Sequence, residues 1–459
     1  MKRSGMTNTR RAIWGWCMYD WANSAFATSI LAAILPVYFA SLVPEGGVTV
    51  RWGPASWATS ASGLWAYSIS ASLLVTALSA PILGALADFS CSKKKFLAAF
   101  TYTGAVFSLF LYFVQRGDWF FCLVIFMVAN IGFAGSMPFY NAFLPEVAGG
   151  KEIDWVSGKG YAFGYLGGGL LLALHILLIT YHEAFGIPDR ALSIRISLAS
   201  VGIWWGIFAV PLFLWVPEPR ILEKKSANLS YLGYGFARFF RTLKCFRKFR
   251  DLLWFLVAFL IYNDGIQTVI AMAAIFGKTA LGLDTGTLIG TLLITQLIAL
   301  PGALLFARVA QRIQSKAAIM ITLLLWIGIV TYAYFLRSAV EFWILGGLVG
   351  LVLGGSQAIS RSLYGQLIPK TRPAEFFGFF TISAKFASIF GPLIFGLMTD
   401  LSENPRHAII SVILFFLVGI ILLSRVDVER GRLQGMEEEN IPLSQRSPVA
   451  FVAGTGGQE

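Results

Sequence analysis

The feature that most constrains this chain is a run of twelve apolar blocks, each about 20 residues long, separated by charged or Pro/Gly-rich breaks. The first six lie at about 14–43, 57–86, 96–114, 119–144, 160–181 and 192–216. The second six lie at about 252–276, 286–306, 317–336, 342–364, 376–398 and 408–424. At 1.5 Å per residue, a helix of this length crosses the roughly 30 Å of hydrocarbon in a bilayer. Apolar residues make up 57% of the chain and do not alternate with polar ones, while only 13% are charged. Soluble domains carry about twice that charge, so an ordinary soluble enzyme is excluded. An all-α polytopic membrane protein with twelve transmembrane helices, in two sets of six, is the predicted fold class.

The net charge of +12 would point to nucleic acid in a soluble chain, so the location of the charges decides. With Lys2, Arg3, Arg10 and Arg11 placed inside, 27 of the 36 Lys and Arg fall on the cytoplasmic side and 7 on the other. Arg361 and Lys385 lie within spans. That asymmetry predicts both termini in the cytoplasm, with the bilayer and not nucleic acid as the partner of the basic excess. The first block is long, contains Asp20 and Asn23 and is followed by many more spans, so it reads as a retained helix and not a cleaved signal.

An internal repeat supports two halves. GALADFSCSKKK (84–95) aligns with ARVAQRIQSKAA (307–318) at an offset of 223, placing Asp88 opposite Gln311 and Lys93 opposite Lys316. Leu144-Pro145 matches Ile368-Pro369 at an offset of 224. Transporters built from such repeats hold their site near the midplane between the halves. The expected organisation is a cytoplasmic N-terminal segment (1–13), a six-helix bundle (14–217), a basic connector (218–251), a second six-helix bundle (252–425) and a disordered cytoplasmic tail (426–459). In the connector, Phe236, Phe239, Phe240, Leu243 and Phe246 recur at helical spacing beside Arg238, Arg241, Lys244 and Lys248. The pattern predicts an interfacial helix, or a basic connector that only obeys the charge asymmetry.

An ionised side chain at mid-bilayer costs about 2.5–3.5 kcal/mol on insertion scales, so Asp20, Asp264, Arg361 and Lys385 each need a partner, water or a proton. Asp20 and Asn23 share a helical face in the first span, as do Asn263, Asp264 and Gln267 in the seventh. Asn130 and Asn141 share one in the fourth, and Gln357 and Arg361 in the tenth. Two readings stand for the amides and carboxylates: they line a cargo cavity, or they only bond helices together. The two cations would bind a substrate carboxylate, neutralise Asp20 and Asp264 while cargo is absent, or form static ion pairs. Glycines at Gly160, Gly164 and Gly168 and at Gly346, Gly350 and Gly354 predict faces of close helix contact.

No metal-ligand cluster, paired cysteine spacing or nucleophile–base pair is present in the sequence, so neither an enzyme nor a cofactor is expected. Gly277-Lys278-Thr279 imitates the end of a phosphate-binding loop, but Met272 stands where its first glycine is required.

GALADFSCSKKK resembles the loop motif between the second and third spans of the major facilitator superfamily. More specific are YDWANSAFATSILAAILPVYF (19–39), YNAFLPE (140–146), SGKGYAFGYLGGG (157–169), YNDGIQT (262–268) and GGSQAISRSLYGQLIP (354–369). AEFFGFF (374–380), with Lys385 and Gly391-Pro392 downstream, completes the set. Together they resemble the vacuole effluxer-like family of that superfamily over about 14–425, whose eukaryotic namesake exports amino acids from the vacuole. The short loops look like the prokaryotic branch.

The resemblance implies the superfamily fold and a secondary-active transporter that exports amino acids by alternating access, while the intramembrane carboxylates point to protons as coupling partner. A monomer is expected, in the inner membrane if the source is a prokaryote. In that reading Arg361 or Lys385 attracts a carboxylate and Asp264 or Asp20 an ammonium or proton, while Asn23, Asn130, Asn141, Asn263, Gln267 and Gln357 orient cargo. A facilitator or exporter of another metabolite, and a receptor or scaffold that kept the fold, are the alternatives. In the superfamily the residue at Asp88, with the basic cluster that includes Lys93, holds a gate closed against a neighbouring helix N-terminus. Cys91 and Ser92 replace the usual Gly and Arg of that motif, and Gln311 in the second copy cannot supply charge. A gate is therefore expected in the first half and is in doubt in the second.

Overall fold

A computed structural model describes residues 2–52, 55–150, 152–218, 242, 248–387, 390–391, 394–395, 397–398 and 405–440. Among these, ten helices are long and apolar enough to cross a bilayer, and a bent pair makes an eleventh span. The chain runs through α1 (Lys2–Ala25), a π-helical stretch (Phe26–Ala33) and α2 (Leu35–Leu42). A β-hairpin that the sequence reading did not foresee follows, β1 (Val48–Trp52) with β2 (Ala55–Thr59), antiparallel with Val48 opposite Thr59. Then come α3 (Ala61–Phe89), α4 (Lys93–Phe110), α5 (Trp119–Ala142), α6 (Leu144–Val147), α7 (Glu152–Thr180) and α8 (Arg190–Trp215). The second half holds α9 (Arg250–Leu281), α10 (Thr285–Ile313), α11 (Ser315–Phe335), α12 (Ala339–Leu367), α13 (Pro373–Phe386), α14 (Pro405–Ser411), α15 (Ile413–Ser424) and α16 (Val428–Asn440). The eleventh expected span begins as α13 and then enters residues that are only partly described. The interfacial helix expected in the connector lies almost wholly outside the described residues.

Helix α1 begins at Lys2 and runs on into the first span. Two expectations need correction. The first span is not one straight helix, because its two parts meet at a bend of 42°. Pro36 has no N–H to continue the α ladder, and the Ile34 N–H donates instead to the Ser29 carbonyl five residues back, at 2.8 Å. Side chains hold this shifted register. The Ser29 hydroxyl meets His175 Nδ1 at 3.0 Å, and His175 Nε2 meets the Ser200 hydroxyl at 2.7 Å. Finally, the tail is not disordered through Val428–Asn440, which form α16.

The starts of α8, α10 and α12 carry side-chain caps. Asp189 accepts from the Leu192 amide at 2.6 Å, and Ser338 with Glu341 makes a reciprocal capping box. Asp284 accepts from the Thr287 hydroxyl and amide, which holds its carboxyl below the usual range.

The chain divides into two compact units. The first comprises Met1–Thr76, Lys95–Met137 and Phe163–Val216. Its core holds Phe26 against Trp205, with Trp21 stacked on Trp204 and Trp65 on Phe126 at its edge. The second comprises Ala77–Lys94, Pro138–Ala162 and Pro217–Glu459, so it takes in helix ends from the first half of the sequence. Within it, Gly350 lies against the Thr295 carbonyl and Gly354 against the Ala299 carbonyl, where a Cβ would overlap backbone; α10 and α12 pack through this stripe.

The repeat offset recurs in the backbone. Among the described residues, two non-glycine residues have positive φ, Cys91 (49°) and Gln314 (74°), and they stand 223 positions apart. Each turns the chain between consecutive spans. Gln314, with ψ of 148°, occupies a region that is essentially open only to glycine, at a cost of about 1–3 kcal/mol, and its side chain is exposed. Gln314→Gly is therefore expected to raise stability by about 1 kcal/mol after glycine's extra unfolded-state entropy is set against the relieved strain. Thermal unfolding in detergent reads this, and an unchanged or lower midpoint would show the turn to be unstrained.

Candidate functional site

On α12 the sequence places a hydroxyl, a guanidinium and a phenol within one helical turn and a half: Ser360, Arg361, Ser362 and Tyr364, all buried. Arg361 is 1% exposed. Its Nε donates to the Ser157 hydroxyl at 3.0 Å and its Nη2 to the Ser157 carbonyl at 2.9 Å, both on α7. Nη1 donates to Asn141 Oδ1 on α5 at 3.4 Å. The guanidinium carbon lies 4.1 Å from the Tyr161 ring centre and 5.7 Å from that of Tyr140. The planar fork suits this setting, since its in-plane donors reach Ser157 and Asn141 while its faces meet aromatic rings. Ser157 also donates to the Ala358 carbonyl at 2.7 Å, tying α7 to α12 a second time.

One turn towards the basic-rich side, a carboxylate that the sequence reading did not single out takes a similar position. Asp154, in the first turn of α7 and 4% exposed, accepts from the Ser315 hydroxyl at 3.0 Å, from Gln366 Nε2 at 3.2 Å and from the Ser362 hydroxyl. Ser315 opens α11 directly after the strained Gln314 turn. The second copy of the loop motif, where Gln311 brings no charge, thus has a carboxylate at its turn, supplied by α7.

The first copy has its own. Asp88, near the end of α3, accepts from the Glu375 amide at 2.9 Å and from the Ala374 amide at 3.3 Å, which satisfies the N-terminus of α13. Gly84 lies one turn earlier against the Ala374 carbonyl, where any larger residue would hold the helices apart. Lys93, at the start of α4, forms a buried ion pair with Glu146 on α6 and faces the Phe143 ring. Glu375 is itself buried and accepts from the Thr242 hydroxyl.

A third group lies on α9. Asp264 is buried; its Oδ1 accepts from the Gly391 amide at 2.9 Å, and its Oδ2 has no hydrogen-bond partner among the described residues. Gly391 lies tight against Asp264 and Thr268, leaving no room for a side chain. Asn263 Nδ2 donates to the Ala384 carbonyl at 3.5 Å, next to Lys385, which is half-buried in the last turn of α13. Gln267 is half-buried on the same helix. Among the described residues, Asp264 and Lys385 form no ion pair with each other.

Three of the remaining candidates lie in the first unit and the fourth, Gln357, in the second. Asp20 and Asn23 are buried on α1, with Asn23 Nδ2 3.3 Å from Met137 Sδ. Asn130 on α5 donates to the Ser72 hydroxyl at 2.6 Å. Gln357 sits half-buried one turn before Arg361. The structure therefore joins Asn141 to Arg361, Asp264 to the chain beyond α13, and Asn263 to the Ala384 carbonyl beside Lys385. The residues that sequence reading missed are Ser157, Tyr161 and Asp154, of which the first two lie inside the quoted 157–169 motif.

Solved structures share the fold. The Escherichia coli fucose:proton symporter aligns with a TM-score of 0.65 at 13% identity, covering 91% of this chain and 98% of that one. The architecture, with its paired loop motifs, is that of the major facilitator superfamily, a class of multi-pass membrane transporters. The model of the vacuole effluxer Atg22-like family matches residues 8–154 and 148–436, and the chain belongs to that family. An uncharacterized MFS-type transporter of Bacillus subtilis, YxiO, is 33% identical over 93% of this chain and 97% of its own length. Autophagy-related protein 22 of Kluyveromyces lactis is 26% identical over 93% of this chain and 96% of its own.

Proposed function

We propose that the protein is a secondary-active transporter that exports a small zwitterionic solute, an amino acid, by alternating access, and that it couples export to protons. The observation that carries this reading is Asp264: a fully buried carboxylate in the middle of a span, with one oxygen on a backbone amide and the other without a partner among the described residues. Such a group is costly in a membrane interior and has a use there as a site that takes and gives up a proton or meets a cationic substrate group. The half-buried Lys385, one residue from the carbonyl that Asn263 contacts, offers the complementary charge for a carboxylate. Asp88, Lys93, Glu146, Asp154 and Arg361 serve as the gate in this reading. Their contacts are hydrogen bonds, ion pairs and ring faces, which water can replace one by one when the helices part. The protein works as a monomer in the inner membrane, with both termini in the cytoplasm.

Purified protein in proteoliposomes with an imposed pH gradient is expected to accumulate at least one radiolabelled amino acid above its equilibrium level. Gradient-driven movement of other small metabolites but of no common amino acid overturns the substrate class. Equal flux with and without the gradient overturns the coupling.

A further inference from the structure

Helix α16 takes no part in the proposed transport site, yet polar contacts attach it to the start of α9, the end of α12 and the residue that caps α13. Asp251, in the first turn of α9 and wholly buried, accepts from Arg430 Nε at 2.6 Å and Nη2 at 2.7 Å, and from the Asp427 amide at 2.9 Å. Arg372, directly before Pro373, pairs with Glu438 at 3.1 Å. Arg432 donates to Gln366 Oε1. Close packing reinforces the polar contacts: Gly435 lies against the Leu367 carbonyl and Gly431 against the Leu367 side chain. The incoming chain is held as well, because Lys316 Nζ donates to the Ser424 carbonyl at 2.8 Å and to the Val426 carbonyl at 2.7 Å.

Two of these contacts end on residues that adjoin the gate, Gln366 and Arg372. Gln366, which receives Arg432 on its oxygen, uses its Nε2 to reach Asp154 at 3.2 Å and the Ser315 hydroxyl at 3.0 Å. An unbroken polar chain thus runs from α16 through α12 to α7 and the start of α11. Arg372 is the N-cap residue of α13, and the next two amides with free N–H groups, Ala374 and Glu375, are those that Asp88 accepts. Position, length and charge in α16 therefore match both carboxylate contacts of the gate. A segment whose Glu-rich, twice Gly-interrupted sequence has weak intrinsic helicity is helical here because it is docked.

We propose that α16 is a strap on the gate: seated, it holds α9, α12 and the start of α13 in the arrangement that Asp88 and Asp154 close; unseated, it lets that arrangement open. The proposal rests on the reading of Asp88 and Asp154 as gate residues, and its test is independent of transport.

Hydrogen–deuterium exchange of the full chain in nanodiscs is compared with Arg430→Ala/Arg432→Ala and with a chain ending at Asp427. Exchange at Ala374 and Glu375 and at the first turns of α7 and α11 is expected to rise about fivefold or more in both variants, with α8 unchanged. Unchanged exchange at those amides in both variants overturns the strap. If the shortened chain does not yield folded protein, the charge exchange Arg372→Glu with Glu438→Arg decides. Arg372→Glu alone should raise gate exchange and the double variant restore it; equal exchange in the two overturns the proposal. A strap effect on exchange in a protein that moves no solute would leave the strap standing and remove the transport reading.

Discussion

Replacing Arg361 by Ala is expected to destabilise the protein by about 3 kcal/mol and to abolish transport. The guanidinium is buried, gives three hydrogen bonds to Ser157 and Asn141, and faces Tyr161 and Tyr140. Hydrogen bonds to a charged group are worth about 1.5–3 kcal/mol each, and a desolvated cation–ring contact about 1–2, but they share one side chain and do not add. For a unit of this size, about 3 kcal/mol corresponds to a fall in melting temperature of roughly 5–10 °C. Arg361→Lys keeps the charge and the ring contact but cannot reach Ser157 and Asn141 together, so about half of the loss should remain. Thermal unfolding with a transport assay separates the two uses of this residue. A clamp loses stability and transport together. A residue whose first task is to hold the substrate carboxylate loses transport with little change in melting, and that outcome would move Arg361 from the gate to the cargo site.

Much of the fold was legible because the bilayer admits few solutions: a 20-residue apolar block in hydrocarbon is a helix. The repeat was legible too, and its offset reappears where two spans must turn through positive φ at Cys91 and Gln314. What the sequence could not convey is which polar groups meet. Arg361 and Asn141 are 220 positions apart, and only packing of α5, α7 and α12 brings them together. Asp154 lies ahead of the fifth expected span (160–181) and carries no mark in the sequence, and only burial against Ser315, Ser362 and Gln366 makes it the carboxylate of the second turn. The π-helical register in the first span depends on Ser29 and His175, 146 positions apart, while the sequence shows only Pro36. The tail misled for a related reason. Composition measures what a segment does alone, and α16 is held by Asp251, Gln366 and Arg372.

Asp264→Asn is the substitution that separates coupling from structure. The amide keeps the side-chain volume and an oxygen able to accept from the Gly391 amide, so the fold and the contact with the chain beyond α13 should survive with a change in stability within about 1 kcal/mol. What the amide cannot do is take up or release a proton. Accumulation driven by a pH gradient alone is therefore expected to vanish, while exchange of labelled for unlabelled substrate continues. Asp264→Ala should lose the hydrogen bond from the Gly391 amide as well, at a further cost of about 1 kcal/mol, and impair both. The pairing of assays matters because a defect in both for Asp264→Asn would mean that the carboxylate charge holds the substrate and does not carry the proton. Full gradient-driven accumulation by Asp264→Asn would exclude Asp264 from coupling altogether. The role in coupling would then pass to Asp20, the buried carboxylate of the first span, and Asp20→Asn should show the uncoupled behaviour in its place.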